Sequence, residues 1–198
     1  MRFDNRSAMP TFFQLLIRQT TARCAIAFLL MTAALLGACT PTFNWRDVRI
    51  ADKGLVALLP CKADRATRAL PLGVESVEVE MAGCEAGGAT FAVAHAAAAD
   101  VVQAEAWLRA WRAATRAQLV DAEATEATAI VPRALPAPTP WKLETRSEAA
   151  NAKPVVPARV LWFAQRTASG VSLYQATVLG KPSAPEAFTT FFEGLRLP

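Results

Sequence analysis

The chain has 198 residues, with 21 Lys and Arg against 17 Asp and Glu and a formal net charge of +4. Arg2, Arg6, Arg18, Arg23 and Asp4 fall within the first 38 residues; the remaining 160 carry 17 basic and 16 acidic residues, which gives no case for nucleic-acid binding. Cys61 and Cys84 with one histidine elsewhere lack the ligand count of a zinc site, and no Walker loop, dinucleotide glycine fingerprint, H-E-x-x-H or G-x-S-x-G occurs.

Behind the leading arginines, residues 25–38 (AIAFLLMTAALLGA) form an uncharged apolar run of 14 residues. That is short of the roughly 18–20 needed to span a bilayer as a helix. The run closes on Leu36-Gly37-Ala38-Cys39, which resembles the lipobox of bacterial lipoproteins. The resemblance implies that residues 1–38 are a signal peptide and that Cys39 receives diacylglycerol and a further acyl chain such as palmitate. The mature chain is then tethered to a membrane of the cell envelope. Thr40, in place of Asp, implies the outer membrane facing the periplasm, with the inner membrane as the alternative. An uncleaved N-terminal transmembrane helix, extended by Thr11–Ile17, is the competing reading, and Arg18 and Arg23 interrupt it. Met1 and Met9 both stand as possible starts.

The cysteines sort accordingly. Cys24 leaves with the signal and Cys39 is the lipidation site. Cys61 and Cys84 remain as a candidate disulfide in a compartment that permits one, with two unpaired buried thiols as the alternative. The bridge would close a loop of about 24 residues, worth roughly 3.5 kcal/mol in the chain-entropy account.

In the mature chain, residues 39–53 read as a lipidated N-terminus and tether, with a reach of at most roughly 50 Å over residues 40–53, shortened where Trp45 and Ile50 pack back on the domain. Residues 54–198 read as one α+β domain. Gly54–Pro60 is a short strand. Val74–Met81 alternates Val77, Val79 and Met81 against Glu78 and Glu80, and a turn at Glu85–Gly88 leads into Thr90–Ala96, so a hairpin is expected. Asp100 with Gln103 has the capping-box form and opens a helix to about Ala122. Its apolar stripe is Val101, Ala104, Leu108, Trp111, Thr115 and Leu119, joined by Trp107. Glu126–Val131 is a strand, prolines 132, 136, 138 and 140 mark a loop or edge, and Trp141–Thr145 alternates again. Arg159–Thr167 and Val171–Leu179 flank Ser169-Gly170 as a second hairpin. Ser183 with Glu186 repeats the capping-box form before a short helix whose buried face is Phe188, Phe191, Phe192 and Leu195.

Antiparallel strands with one long and one terminal helix give an α+β fold, an antiparallel sheet flanked by helices. The opening LVALLPCKADRATRA and the ending GVSLYQATVLGKPSAPEAFTTFFEGLRLP resemble PsbP-like α/β/α sandwich domains over about residues 53–197. The proline-rich stretch 132–140 has no counterpart there. The resemblance implies an α/β/α sandwich in a family that shares no single function: PsbP itself assists a photosystem by protein contact, and many bacterial relatives are lipoproteins.

Chemistry is sparse along the chain. His95 is the one candidate general base and no activated serine or cysteine accompanies it in sequence, so no catalytic residue is assigned. Glu75, Glu78 and Glu80 lie on a strand and read as a solvated face rather than a cation site. Arg109, Arg112 and Arg116 share one side of the long helix. They are a candidate contact face for anionic lipid headgroups or an acidic partner, against the plainer reading of a solvated helix side. No metal or cofactor is expected. The function expected is a non-enzymatic binding or accessory domain with an envelope partner and the membrane as its anchor. A small periplasmic enzyme or ligand carrier, using a pocket between the long helix and the sheet, is the alternative.

Overall fold

A computed structural model describes residues 41–51, 54–119, 123–146 and 156–198. The lipobox, Cys24 and Cys39 lie outside these residues. Among the described residues no helix is long and apolar enough to cross a membrane. The compact unit runs from Thr42 to Pro198. Its strands are β1 (Arg46–Arg49), β2 (Val56–Leu59), β3 (Asp64–Leu72), β4 (Glu75–Ala86), β5 (Ala89–Ala98), β6 (Glu123–Thr128), β7 (Trp141–Arg146), β8 (Ala158–Thr167) and β9 (Gly170–Gly180). Its helices are α1 (Val101–Gln118) and α2 (Glu186–Glu193).

Seven strands form one antiparallel sheet in the order β3-β4-β5-β9-β8-β7-β6, while β1 and β2 form a separate hairpin. Two meanders, β3–β5 and β6–β9, are therefore zipped together at β5 and β9, and α1 carries the chain from one to the far edge of the other. The expected antiparallel sheet with helices is present, and its period-two patterning explains the two cores. Leu173 and Trp162 face α1, packing with Val79, Ala104, Trp107, Leu108 and Trp111. Tyr174 and Phe163 face the other way, toward the β1–β2 hairpin and α2, with Leu59, Phe91, Val178 and Phe191. Trp162 and Phe163 are adjacent, point to opposite faces, and are both fully buried, which a sheet covered on both sides permits.

α1 begins where its cap requires. The Asp100 carboxylate accepts from the Gln103 backbone N–H at 2.8 Å, and the Gln103 side chain accepts from the Ala99 N–H at 2.8 Å. The helix ends at Gln118 rather than Ala122, which lies outside the described residues. The β4–β5 turn is Gly87-Gly88, both at positive φ, as a two-residue hairpin turn demands. The β8–β9 turn is Ala168-Ser169, with Thr167 opposite Gly170, one residue earlier than its sequence suggests. Gly170 itself has φ +144, and a Cβ there would collide with the Ala98 carbonyl.

Four segments depart from expectation. Residues 64–72 form the edge strand β3, whose charged, almost wholly exposed sequence DRATRALPL carries no alternation; Arg65, Arg68 and Pro71 suit a strand that must not pair further. β6 starts at Glu123 rather than Glu126, because pairing of Glu126 with Leu143 sets its register and releases Ala129–Val131 from the sheet. Ser183 does not cap α2: its N–H donates to the Gly87 carbonyl at 2.7 Å, and Pro185 precedes the helix with no side-chain cap.

The fourth departure concerns the tether. Within the expected tether of residues 39–53, the described residues from Phe43 to Ile50 pack on the domain. Phe43 and Trp45 stack at 6.0 Å and both meet Phe91 edge-on. β1 pairs with β2 from Arg46 to Arg49, and Ile50 is buried. Apolar residues in a nominal linker had a core face to fill. The C-terminus completes this corner, since Arg196 exchanges backbone hydrogen bonds with Val56 and ion-pairs with Asp47 at 2.6 Å.

Candidate functional site

Where Ala129–Val131 leaves β6, a groove of about 760 Å³ lies between that segment, β7–β8 and α2. α2 turns Ala187 and Phe191 fully into the core. Phe188 and Phe192, expected on the buried face, are only half-buried and stand along the groove instead. Leu161, Val131 and Leu195 continue its apolar lining, and Ile130 at its mouth is 98% exposed. The polar rim is balanced. The Glu144 carboxylate sits 3.9 Å from both Lys142 Nζ and Arg159 Nε, and the Arg159 guanidinium lies 4.1 Å over the Phe188 ring. This is an apolar surface with a neutral, self-paired border, suited to an apolar or weakly amphipathic guest rather than to a free ion.

His95 belongs to a different place, on the same sheet face but away from α2. Sheet register sets it opposite Tyr174 on β9 and Glu80 on β4. Its Nε2 lies 3.1 Å from Ser172 Oγ, its Nδ1 3.8 Å from Glu80, and its ring 5.3 Å from that of Tyr174. The Tyr174 hydroxyl accepts the Leu55 backbone N–H at 3.3 Å, tying the β1–β2 hairpin to the sheet. Burial pushes the His95 pKa down, against the opposing pull of the Glu80 charge, and so favours the neutral ring. Burial likewise raises the Tyr174 phenol. Serine, histidine and carboxylate thus stand in sequence across three strands. Ser172, however, is itself buried near the start of β9, and it lines neither the 760 Å³ groove nor two smaller ones of 540 and 430 Å³. The cluster satisfies buried polar groups and pins the hairpin.

The helix arginines divide. Arg112 donates to the Glu126 carboxylate at 3.2 Å and lies 4.0 Å over Trp141, whose indole N–H donates to the same carboxylate at 2.9 Å. Arg116 is 4.0 Å from Glu126 and donates to the Leu119 carbonyl. These bonds hold the Glu126 pKa low, the Trp141 hydrogen bond first among them. Arg109 is exposed. The three arginines are therefore not one free surface: two of them dock α1 onto β6 and β7.

Cys61, just after β2, is joined to Cys84 in β4 with Cα atoms 6.0 Å apart, so the bridge staples the hairpin to the sheet face rather than linking neighbouring strands. Glu75 accepts from the Gln103 side chain, Glu78 is exposed, and among the described residues no three His, Cys, Asp or Glu side chains gather as a metal site. The groove escaped sequence reading because nothing local distinguishes a half-buried Phe188 from a buried Phe191. The one available hint was an eight-residue helix carrying three phenylalanines, more than one sheet-facing stripe holds. No protein-family pattern and no curated protein matches this chain.

Proposed function

We propose that the chain is an envelope lipoprotein, held by acyl chains on Cys39, whose domain is a non-enzymatic binding or accessory module. The lipobox-like Leu36–Cys39 supports the anchor, and Thr40 supports the outer membrane over the inner. The observation that carries the binding half is the groove beside α2, where Phe188, Phe192, Leu161 and exposed Ile130 leave an apolar surface open on an otherwise filled core. Its occupant on this reading is an apolar segment of another envelope protein. A PsbP-like relationship is part of the proposal: helices on both faces of the antiparallel sheet, with paired aromatics in the terminal helix, support it.

A small-ligand carrier is the second reading, favoured by the same groove, whose volume lies in the range of small-molecule sites. A photo-crosslinking residue at Phe188 or Phe192, in cells carrying Cys39 or Cys39→Ser, separates the two. The accessory-module reading expects a protein adduct of discrete mass that is lost with Cys39→Ser. A carrier gives no protein adduct but co-purifies with a small molecule seen by native mass spectrometry. Neither product from the anchored protein would sink both readings of the groove.

A further inference from the structure

We propose that one end of the domain, bearing the Gly87-Gly88 turn, Leu179, Lys181 and Val156, lies against the lipid headgroups of the membrane that holds the anchor. The inference rests on the reading of Cys39 as the acylated residue and adds an orientation to it.

The argument is one of chain length. From Cys39 to Phe43 there are four Cα steps, at most about 14 Å fully extended. Phe43 is not free to extend that reach. Its ring stacks on Trp45 and meets Phe91, and it packs so closely on Gly87 that a Cβ there would overlap it. The next residue is also fixed, since the Asn44 N–H donates to the Pro60 carbonyl at 2.7 Å. The chain therefore enters the domain beside the β4–β5 turn, and the bilayer surface cannot be far from it.

The same end gathers the finish of β9 and the start of β8. Gly180 pairs with Ala89 and donates to the Pro157 carbonyl at 2.7 Å, and Ala158 pairs with Leu179. A shallow groove of about 540 Å³ lies here, lined by Glu85–Thr90, Val156, Leu179 and Gly180. Val156 and Leu179 are 59% and 42% exposed, two of the few large apolar side chains left in water among the described residues. Lys181 beside them is exposed, and Glu85 is the carboxylate of the groove. An apolar pair with small, unobstructed turn residues and a lysine suits a headgroup layer into which the tether draws it.

The opposite end is marked by the β3–β4 turn. The twelve residues of β4 separate the two turns by about 37 Å. Val74 there is wholly exposed, and Val102 at the start of α1 belongs to the same end, because Gln103 hydrogen-bonds Glu75. A 14 Å tether entering at Gly87 holds Val74 and Val102 away from the lipid.

The test uses the full lipidated protein in phosphatidylethanolamine–phosphatidylglycerol vesicles. With Cys39 acylated and Cys61 bonded to Cys84, one introduced cysteine is the single free thiol of the mature chain. Val156→Cys, Leu179→Cys, Val74→Cys and Val102→Cys, each carrying a fluorophore, are exposed to a quencher fixed to lipid headgroups. The expected result is loss of most emission at 156 and 179 and retention at 74 and 102. Equal loss at all four, or retention at all four in protein that floats with the vesicles, overturns the orientation while leaving the anchor intact. Shielding of 156 and 179 in native envelopes but not in vesicles overturns it in favour of a protein partner. Protein that does not float and whose mature N-terminus lacks the diacylglycerol mass overturns the anchor reading itself.

Discussion

His95 shows how one side chain takes its properties from residues far away in the chain. Its ring is held between Glu80, Ser172 and Tyr174, and burial depresses its pKa. A histidine that binds protons less readily when folded contributes stability fully present above its unfolded value near 6.5 and lost as pH falls from there toward the depressed folded value. Thermal melts are therefore expected to show Tm falling as pH is lowered from about 7.5 to 5.5, with a flatter dependence in His95→Gln. An unchanged slope in that variant would remove His95 as its source. Glu126 acts lower, in the carboxylate range, because its pKa too is depressed: its contribution is present at neutral pH and is lost as pH falls through that range. Arg112→Ala, which strips both the ion pair and the stacking on Trp141, is expected to cost about 0.5–1 kcal/mol by urea unfolding. Very little of this was legible in sequence. His95 stood alone there, because Ser172 and Glu80 reach it only through the registers of β9 and β4.

At the scale of elements, α2 performs two tasks with neighbouring phenylalanines. Phe191 is fully buried against Phe91, with ring centroids 5.5 Å apart, whereas Phe188 and Phe192 wall the groove. Phe191→Ala is expected to destabilise the domain by about 3–5 kcal/mol. Phe188→Ala is expected to cost only about 1 kcal/mol or less while weakening capture of an apolar probe dye, as titration of the folded variant would register. The β1–β2 hairpin is the second such element. It is held by the Cys61–Cys84 bridge, the Tyr174 hydroxyl and the aromatic trio of Phe43, Trp45 and Phe91. Cys61→Ser with Cys84→Ser is expected to lower stability by about 3.5 kcal/mol through the loop of about 24 residues it releases. α1 and the two long hairpins were readable from their periods and caps. β3 was not, since an exposed edge strand needs no apolar alternation, and the register of β6 is set by β7 rather than by its own residues.

For the molecule as a whole, the N-terminal segment bears on stability and, through the proposed anchor, on placement. A chain beginning at Gly54 follows the domain boundary that the sequence suggests, yet it lacks Phe43, Trp45, β1 and Ile50. It is expected to lose cooperative unfolding, whereas a chain beginning at Thr42 retains it; circular dichroism melts of the two compare them directly. On the proposed anchor at Cys39, the same residues shorten a reach of at most roughly 50 Å to one of about 14 Å, which is the basis of the proposed orientation. The sequence by itself determined what depends on near neighbours: the apolar run ending in Leu36–Cys39, the near-neutral charge of the chain beyond it, the cap and stripe of α1, and the alternation of the hairpin strands. Only the tertiary structure decided the union of the two meanders at β5 and β9, the joining of Cys61 to Cys84 across layers, the company of His95, the groove beside α2 and the docking of Phe43. Each of these depends on pairings between residues distant in sequence, where many weak contacts act together and no short stretch carries the signal.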